Sequence, residues 1–186
     1  MQIKSSALQQ LINGRRTVHD FLDQSVPQQD IVSAISSARW APNHLRTEPW
    51  HFYLLSRRQA DQVCELNTAL VRATKGEKVA EVKHRRWMAM PGWLVLSCPK
   101  SDDAIRERED YAACCCAAHN FSLVLWERGI GVKWTTGAVT RDTGFFDIIG
   151  ADFAEEFIVG LFWYGYPKTI PEQHRRPVED ILTLGT

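Results

Sequence analysis

Apolar positions along the chain recur at two spacings, which divide it into helical and extended stretches. Within residues 5–13, Leu8, Leu11 and Ile12 fall on one helical face, and Gly14 stops that helix. Pro27 opens the next, with Ile31, Ala34, Ile35 and Ala38 at helical spacing. Pro42 and Pro49 enclose the polar segment WAPNHLRTEP (40–49), which predicts a loop. WHFYLLS (50–56) predicts a strand, residues 58–73 a helix, and the charged stretch 75–87 a second, more exposed helix. After Pro91 and Gly92 come a short apolar strand, Trp93 to Cys98, and the longest helix, 103–128. Tyr111, Cys115, Ala118, Ser122 and Leu125 form one small or apolar stripe of that helix; Ala113, Ala117, Phe121 and Val124 form another. Apolarity on more than one face predicts a central, buried helix. Gly129 ends it and leads to a strand near Val132–Thr136, a short helix at 143–149 and an aromatic strand at 157–165. The tail from Pro167 is polar and proline-rich, and it predicts an extension lying over a surface such as that of another subunit.

Strands separated by helices around a hydrophobic helix predict a three-layer α/β or α+β arrangement, with strand order left open. No repeat, low-complexity tract or linker divides the sequence, so residues 1–186 are expected to form one domain. Hydrophobic residues make up 45% and charged residues 24%, which argues against disorder. Lys+Arg and Asp+Glu number 22 each. That balance gives no electrostatic reason to expect a nucleic-acid or anionic-membrane partner. The longest uncharged stretch, Tyr111 to Trp126, is too short and too polar to span a bilayer, and the first residues lack the apolar core of a secretory signal. A cytoplasmic protein is the expectation. Five cysteines, among them the run Cys114-Cys115-Cys116, have neither disulfide-framework nor zinc spacing, and no metal is expected.

Four segments could carry chemistry. Arg15-Arg16-Thr17 sets two guanidiniums and a hydroxyl at a helix-to-strand junction, where they can clamp a phosphate; solvated surface arginines are the plain alternative. The 40–49 loop gathers Asn43, His44, Arg46, Thr47 and Glu48 on a proline-stiffened backbone, although no G-x-S-x-G elbow supports a hydrolase. Trp134-Thr135-Thr136-Gly137 closes a strand with hydroxyls and amides suited to a polar ring edge or a phosphate. His174-Arg175-Arg176-Pro177 is a further basic cluster. Neither a P-loop nor a G-x-G-x-x-G occurs, so arginines must hold the phosphate of any nucleotide-like cofactor.

In this order and spacing the four segments resemble the flavin-dependent nitroreductase family, and most closely its short, single-domain branch. RRTVHDF (15–21) is similar to the family's R-R-S-x-R-x-F signature, and ARWAPNHLRTEPWHFYLL (38–55) to its A-x-x-A-P-S-x-x-N-x-Q-P-W-x-F block. AAHNFSLVLWERGIGVKWTTG (117–137) resembles its buried helix, Gly-rich turn and W-x-T-G strand; IVGLFWYGYP and RRPVEDIL resemble its last strand and closing tail. Asn43, Arg46 and Glu48 depart from the family's Ser, Asn and Gln, His19 takes the place of a basic residue, and Trp40 stands where the branch can carry arginine.

The resemblance implies an α+β, three-layer α/β/α sandwich with a mostly antiparallel sheet and a C-terminal extension over the dimer partner. It implies a homodimer with FMN at the subunit interface. Arg15, Arg16 and Thr17 would hold the phosphate and ribityl chain, with Arg175 as a further phosphate ligand. Trp40 and His44 would reach in from the partner, and Trp134, Thr135, Thr136 and Gly137 would line the cofactor. The family mechanism is ping-pong: NAD(P)H, a transient co-substrate, reduces the flavin, and a flat electron-poor acceptor such as a nitroaromatic or quinone reoxidises it. Related tasks include dehalogenation, enone reduction and flavin destruction. A non-catalytic FMN-binding dimer and a thiol-redox protein using Cys114–Cys116 are the readings from other classes.

Overall fold

Short polar caps set where the main helices begin. A computed structural model describes residues 6–185 of the chain. In α1 (Ala7–Gly14) the Ser6 hydroxyl accepts from Gln9 N at 3.2 Å while the Gln9 side chain accepts from Ser6 N at 2.8 Å. The predicted start of this helix at residue 5 lies outside the described residues. Ser56 and Gln59 repeat the box at the head of α3 (Arg57–Lys75), and Asp103 caps α5 (Ala104–Glu127) by accepting from Ile105 N and Arg106 N. Gly76, at φ 82°, separates α3 from α4 (Glu77–Met88). The other helices are α2 (Gln28–Ala38) and α6 (Thr143–Ile149).

Strands β1 (His51–Leu54), β2 (Gly92–Pro99), β3 (Gly131–Thr135) and β4 (Glu156–Gly165) form one antiparallel sheet in the order β1-β2-β4-β3. Leu94, Leu96 and Cys98 of β2 pack with Phe162 and Tyr164 against α2 and α5. Trp93 and Val95 pack with Leu161 and Trp163 against α3 and α6. The result is the expected α+β architecture, a sheet between two helical layers. Leu96 pairs with Gly160 but Ser97 with Ile158, so Val159 is an extra residue in β4. This bulge sends Ile158 to the α3 layer and Val159 to the α5 layer.

One detail differs from the sequence reading. Helix α5 is not buried all round: Ala113, Cys114, Ala117, Phe121 and Leu125 are covered, whereas Tyr111, Ala112, Cys116 and His119 are exposed within the chain. The stripe Ala113, Ala117 and Phe121 is therefore the one the sheet covers, while the stripe that begins at Tyr111 is covered only at Ala118 and Leu125. Helix α1 buries none of its residues, and Leu8 and Ile12 stay exposed.

Beyond β3, residues 17–21 extend the edge of the sheet. Thr17 bridges Val132 in parallel, Val18 N donates to Val132 O at 3.2 Å, and Phe21 bridges Pro167. Gly131 makes this approach possible, since a Cβ there would lie 2.3 Å from Val18 Cγ2. The tail then runs on with Ile170, Val178, Ile181, Leu182 and Leu184 exposed. No helix among the described residues is long and apolar enough to cross a membrane.

Candidate functional site

A cavity of about 510 Å³ opens between β3, α3 and α4. Strand alternation decides which β3 side chains reach it: Lys133 and Thr135 line it, followed by Gly137 and Ala138. Trp134 faces the other layer. Its ring lies 5.2 Å from that of Phe162 and its Nε1 donates to Val159 O at 3.1 Å. Gly160 admits the indole, because a Cβ there would come within 2.1 Å of Trp134 Nε1. Thr136 is exposed and outside the cavity wall.

The wall combines flat rings, aliphatic surface and unpaired donors. Trp87 and Trp163 supply rings, Leu70 and Val71 aliphatic surface. Trp87, Trp93 and Trp163 pack edge to face with centroids 4.9 to 5.7 Å apart. Asn67 is only 7% exposed and Trp163 2%, yet Asn67 Nδ2 and Trp163 Nε1 have no hydrogen-bond partner. Buried donors without partners are expensive, and both of these border the cavity.

Cations gather along the same edge. Burial, Arg16 and then Arg175 hold the Arg15 guanidinium below its ordinary value, so both cations act on Arg15. Arg16 also turns back on α1, its Nη1 donating to Asn13 O at 2.6 Å and Arg15 O at 3.0 Å. Thr17 stands beside Val132. Farther along, burial, Lys133 and Arg86 depress His19, with Asp20 opposing. Lys133 is itself depressed by burial, then by Arg86, against Asp20, with Lys83 adding to the effect. Its ammonium sits 4.8 Å over the Trp163 ring. A charged amine held below its ordinary value opposes folding while protonated, and the penalty fades as pH rises through its folded value towards the ordinary 10.5. Lys133→Met is accordingly expected to raise the melting temperature of ligand-free protein near neutral pH, with the gain shrinking as pH approaches that value. Thermal unfolding at several pH values checks this, and a variant less stable at neutral pH contradicts it.

Trp40 and His44 are not in this wall. They lie on the α2 side of the molecule, Trp40 80% exposed and His44 exposed in a short turn, His44–Arg46. That loop is held firmly: Asn43 Nδ2 donates to Thr47 Oγ1 at 2.9 Å, Glu48 N donates to Asn43 Oδ1 at 2.7 Å, and Thr47 donates to the buried Asp110 of α5. These bonds support positive φ at Leu45, Arg46 and Glu48, a conformation that non-glycine residues rarely hold.

Asn67, Arg86 and Lys83 escape a motif search. The signal for Asn67 is an amide within the apolar stripe Ala60, Val63, Cys64, Val71 of α3. Chemically, the cavity suits a flat polar ring, and the arginine cluster suits a phosphate joined to it.

Comparison with known proteins agrees with this description. The sequence profile described as "Nitroreductase family" matches residues 12–166. A Bacillus subtilis (strain 168) protein, provisionally named NAD(P)H nitroreductase YfhC, is 29% identical over 96% of this chain and 94% of its own. The crystal structure of a nitroreductase-like family protein from Bacillus cereus superposes with a TM-score of 0.83 at 29% identity, covering 99% of this chain and 98% of that one. A Desulfovibrio desulfuricans protein solved in complex with FMN shares the fold at a TM-score of 0.78, with 16% identity and coverage of 98% and 99%.

Proposed function

The chain belongs to the nitroreductase family, and from that premise we propose that it is a single-domain, FMN-dependent NAD(P)H oxidoreductase. The residues fit the cofactor. Asn67 and Trp163 offer unpaired donors in a ring-walled cavity, and this is the observation that carries the reading. Arg15, Arg16 and Arg175 repel one another where a phosphate would relieve them. Bound FMN would supply hydride chemistry between NAD(P)H and a flat electron-poor acceptor such as a nitroaromatic or quinone.

The protein's own tasks are binding, orientation and charge. Arg15 and Thr17 hold the phosphate, with Arg16 and Arg175 adding field. Asn67 donates to an acceptor in the cavity, and the Gly137 backbone allows close approach. Lys133 brings positive charge that stabilises an anionic reduced ring. Trp87 and Trp163 keep water from that side of the cavity.

A homodimer completes the site in this reading. The uncovered stripe of α5 around Tyr111 and Cys116, the exposed Trp40 and Leu45, and the apolar residues of the tail supply surface for a second copy. Trp40 and His44 then reach the partner's cavity. The cytoplasm suits the molecule, because its five cysteines are free thiols.

Anaerobic absorption spectroscopy tests the function. Purified protein should take up FMN stoichiometrically, and its flavin band should bleach on adding NADPH or NADH and return with a nitroaromatic or quinone. A protein that ignores FMN overturns the reading, and one that binds FMN but is reduced by neither nicotinamide is a binding module. Sedimentation should give a dimer; a lone chain that binds FMN normally removes the shared site.

A further inference from the structure

Helix α4 sorts its charges by face. Glu81, His84 and Arg85 line an open hollow on one side together with Glu65 and Arg72, so both signs meet there. Lys83 and Arg86 line the flavin-sized cavity on the other side, joined by Lys75 from the end of α3 and Lys133 from β3. No carboxylate lines that cavity, and none of these four cations makes an ion pair among the described residues. Lys133 is depressed first by burial and then by Arg86 and Lys83, with Asp20, which shares a neighbouring hollow with Arg86, opposing, in a protein whose net charge is zero. FMN carries one phosphate, already matched by the Arg15 cluster, so the α4 cations are left over.

We propose that Lys83 and Arg86, assisted by Lys75, form an anion subsite at the cavity mouth. It selects a flat redox partner bearing a carboxylate or phosphate. This rests on the oxidoreductase reading above. The anion has two sources: the 2′-phosphate of NADPH, or an acidic group on the acceptor.

The test compares holoenzyme with a Lys83→Gln/Arg86→Gln double variant; both side chains are solvent-accessible, so the fold should survive. One arm measures kcat/KM for NADPH against NADH with a neutral quinone. The other measures 4-nitrobenzoate against its methyl ester at fixed NADH. Equilibrium binding of adenosine 2′,5′-bisphosphate and of 4-nitrobenzoate is measured alongside, with and without FMN. Ratios cancel any general loss in the variant. The anionic-to-neutral preference should fall about tenfold in one arm, with matching loss of binding for that probe, and should shrink with added salt. A fall confined to NADPH and the bisphosphate assigns the 2′-phosphate; one confined to 4-nitrobenzoate assigns an acidic acceptor. Unchanged ratios and unchanged probe affinities overturn the subsite, even where the enzyme turns over a neutral quinone. A protein that takes up no FMN yet binds an anionic probe through Lys83 and Arg86 overturns the flavin reading and keeps the subsite.

Discussion

Arg15→Ala should weaken FMN binding about 30- to 100-fold, measured by quenching of flavin fluorescence. Hydrogen bonds to a charged group contribute roughly 1.5 to 3 kcal/mol, and a guanidinium can place two on one phosphate. Arg15→Lys should recover only part of the loss, since an ammonium keeps the charge but not the fork. The stability signature is opposite in sign. Arg15 is disfavoured by burial and by Arg16 and Arg175, so its removal should leave ligand-free protein no less stable. FMN should then raise the melting temperature of the variant less than that of the parent. Equal affinity in variant and parent would place the phosphate elsewhere.

Gly131→Ala should lower stability by about 2 to 3 kcal/mol, seen as a fall in melting temperature of roughly 5 to 10 °C. The new methyl would meet Val18 at 2.3 and 2.7 Å and Pro167 at 3.2 Å. Val18 is fully buried and cannot swing away, so the 17–21 segment has to lift off β3. Because Thr17 lies on that segment and Arg15 stands two residues before it, FMN affinity should fall together with stability. Adding Val18→Ala to the variant should restore part of both. A glycine replacement without effect on flavin affinity would uncouple this edge from the phosphate.

Much of this fold is written in local pattern. The stripe Ile31, Ala34, Ala38 gives α2, Gly76 and Gly129 give helix ends, and the apolar run Trp93–Cys98 gives a buried strand, because each signal acts within a few residues. What is illegible depends on contacts between distant segments. Both stripes of α5 are apolar, so only the sheet's position says that Phe121 is covered and Tyr111 is not. The bulge at Val159 resets the alternation of β4, which no residue in it announces.

The site divides the same way. Arg15, Arg16 and Arg175 are visible as basic clusters, and the fold sets Arg16 and Arg175 within electrostatic reach of Arg15. Trp134 stands out by its bulk, yet its quieter neighbours Lys133 and Thr135 reach the cavity, because register decides the face. Lys83 and Arg86 read as a solvated charged helix until α4 is set against β3. Net charge averages over the surface and so conceals their one-signed wall.

The three packed indoles have an optical consequence. Trp87, Trp93 and Trp163 are near enough to exchange excitation, and two of them border the cavity. A yellow occupant absorbs where indoles emit, so its arrival should darken the whole group at once. Trp40, exposed on the single chain, reaches the partner's cavity in the proposed dimer, so its emission should fall with the others. The protein thus carries its own gauge of occupancy, readable without any attached dye.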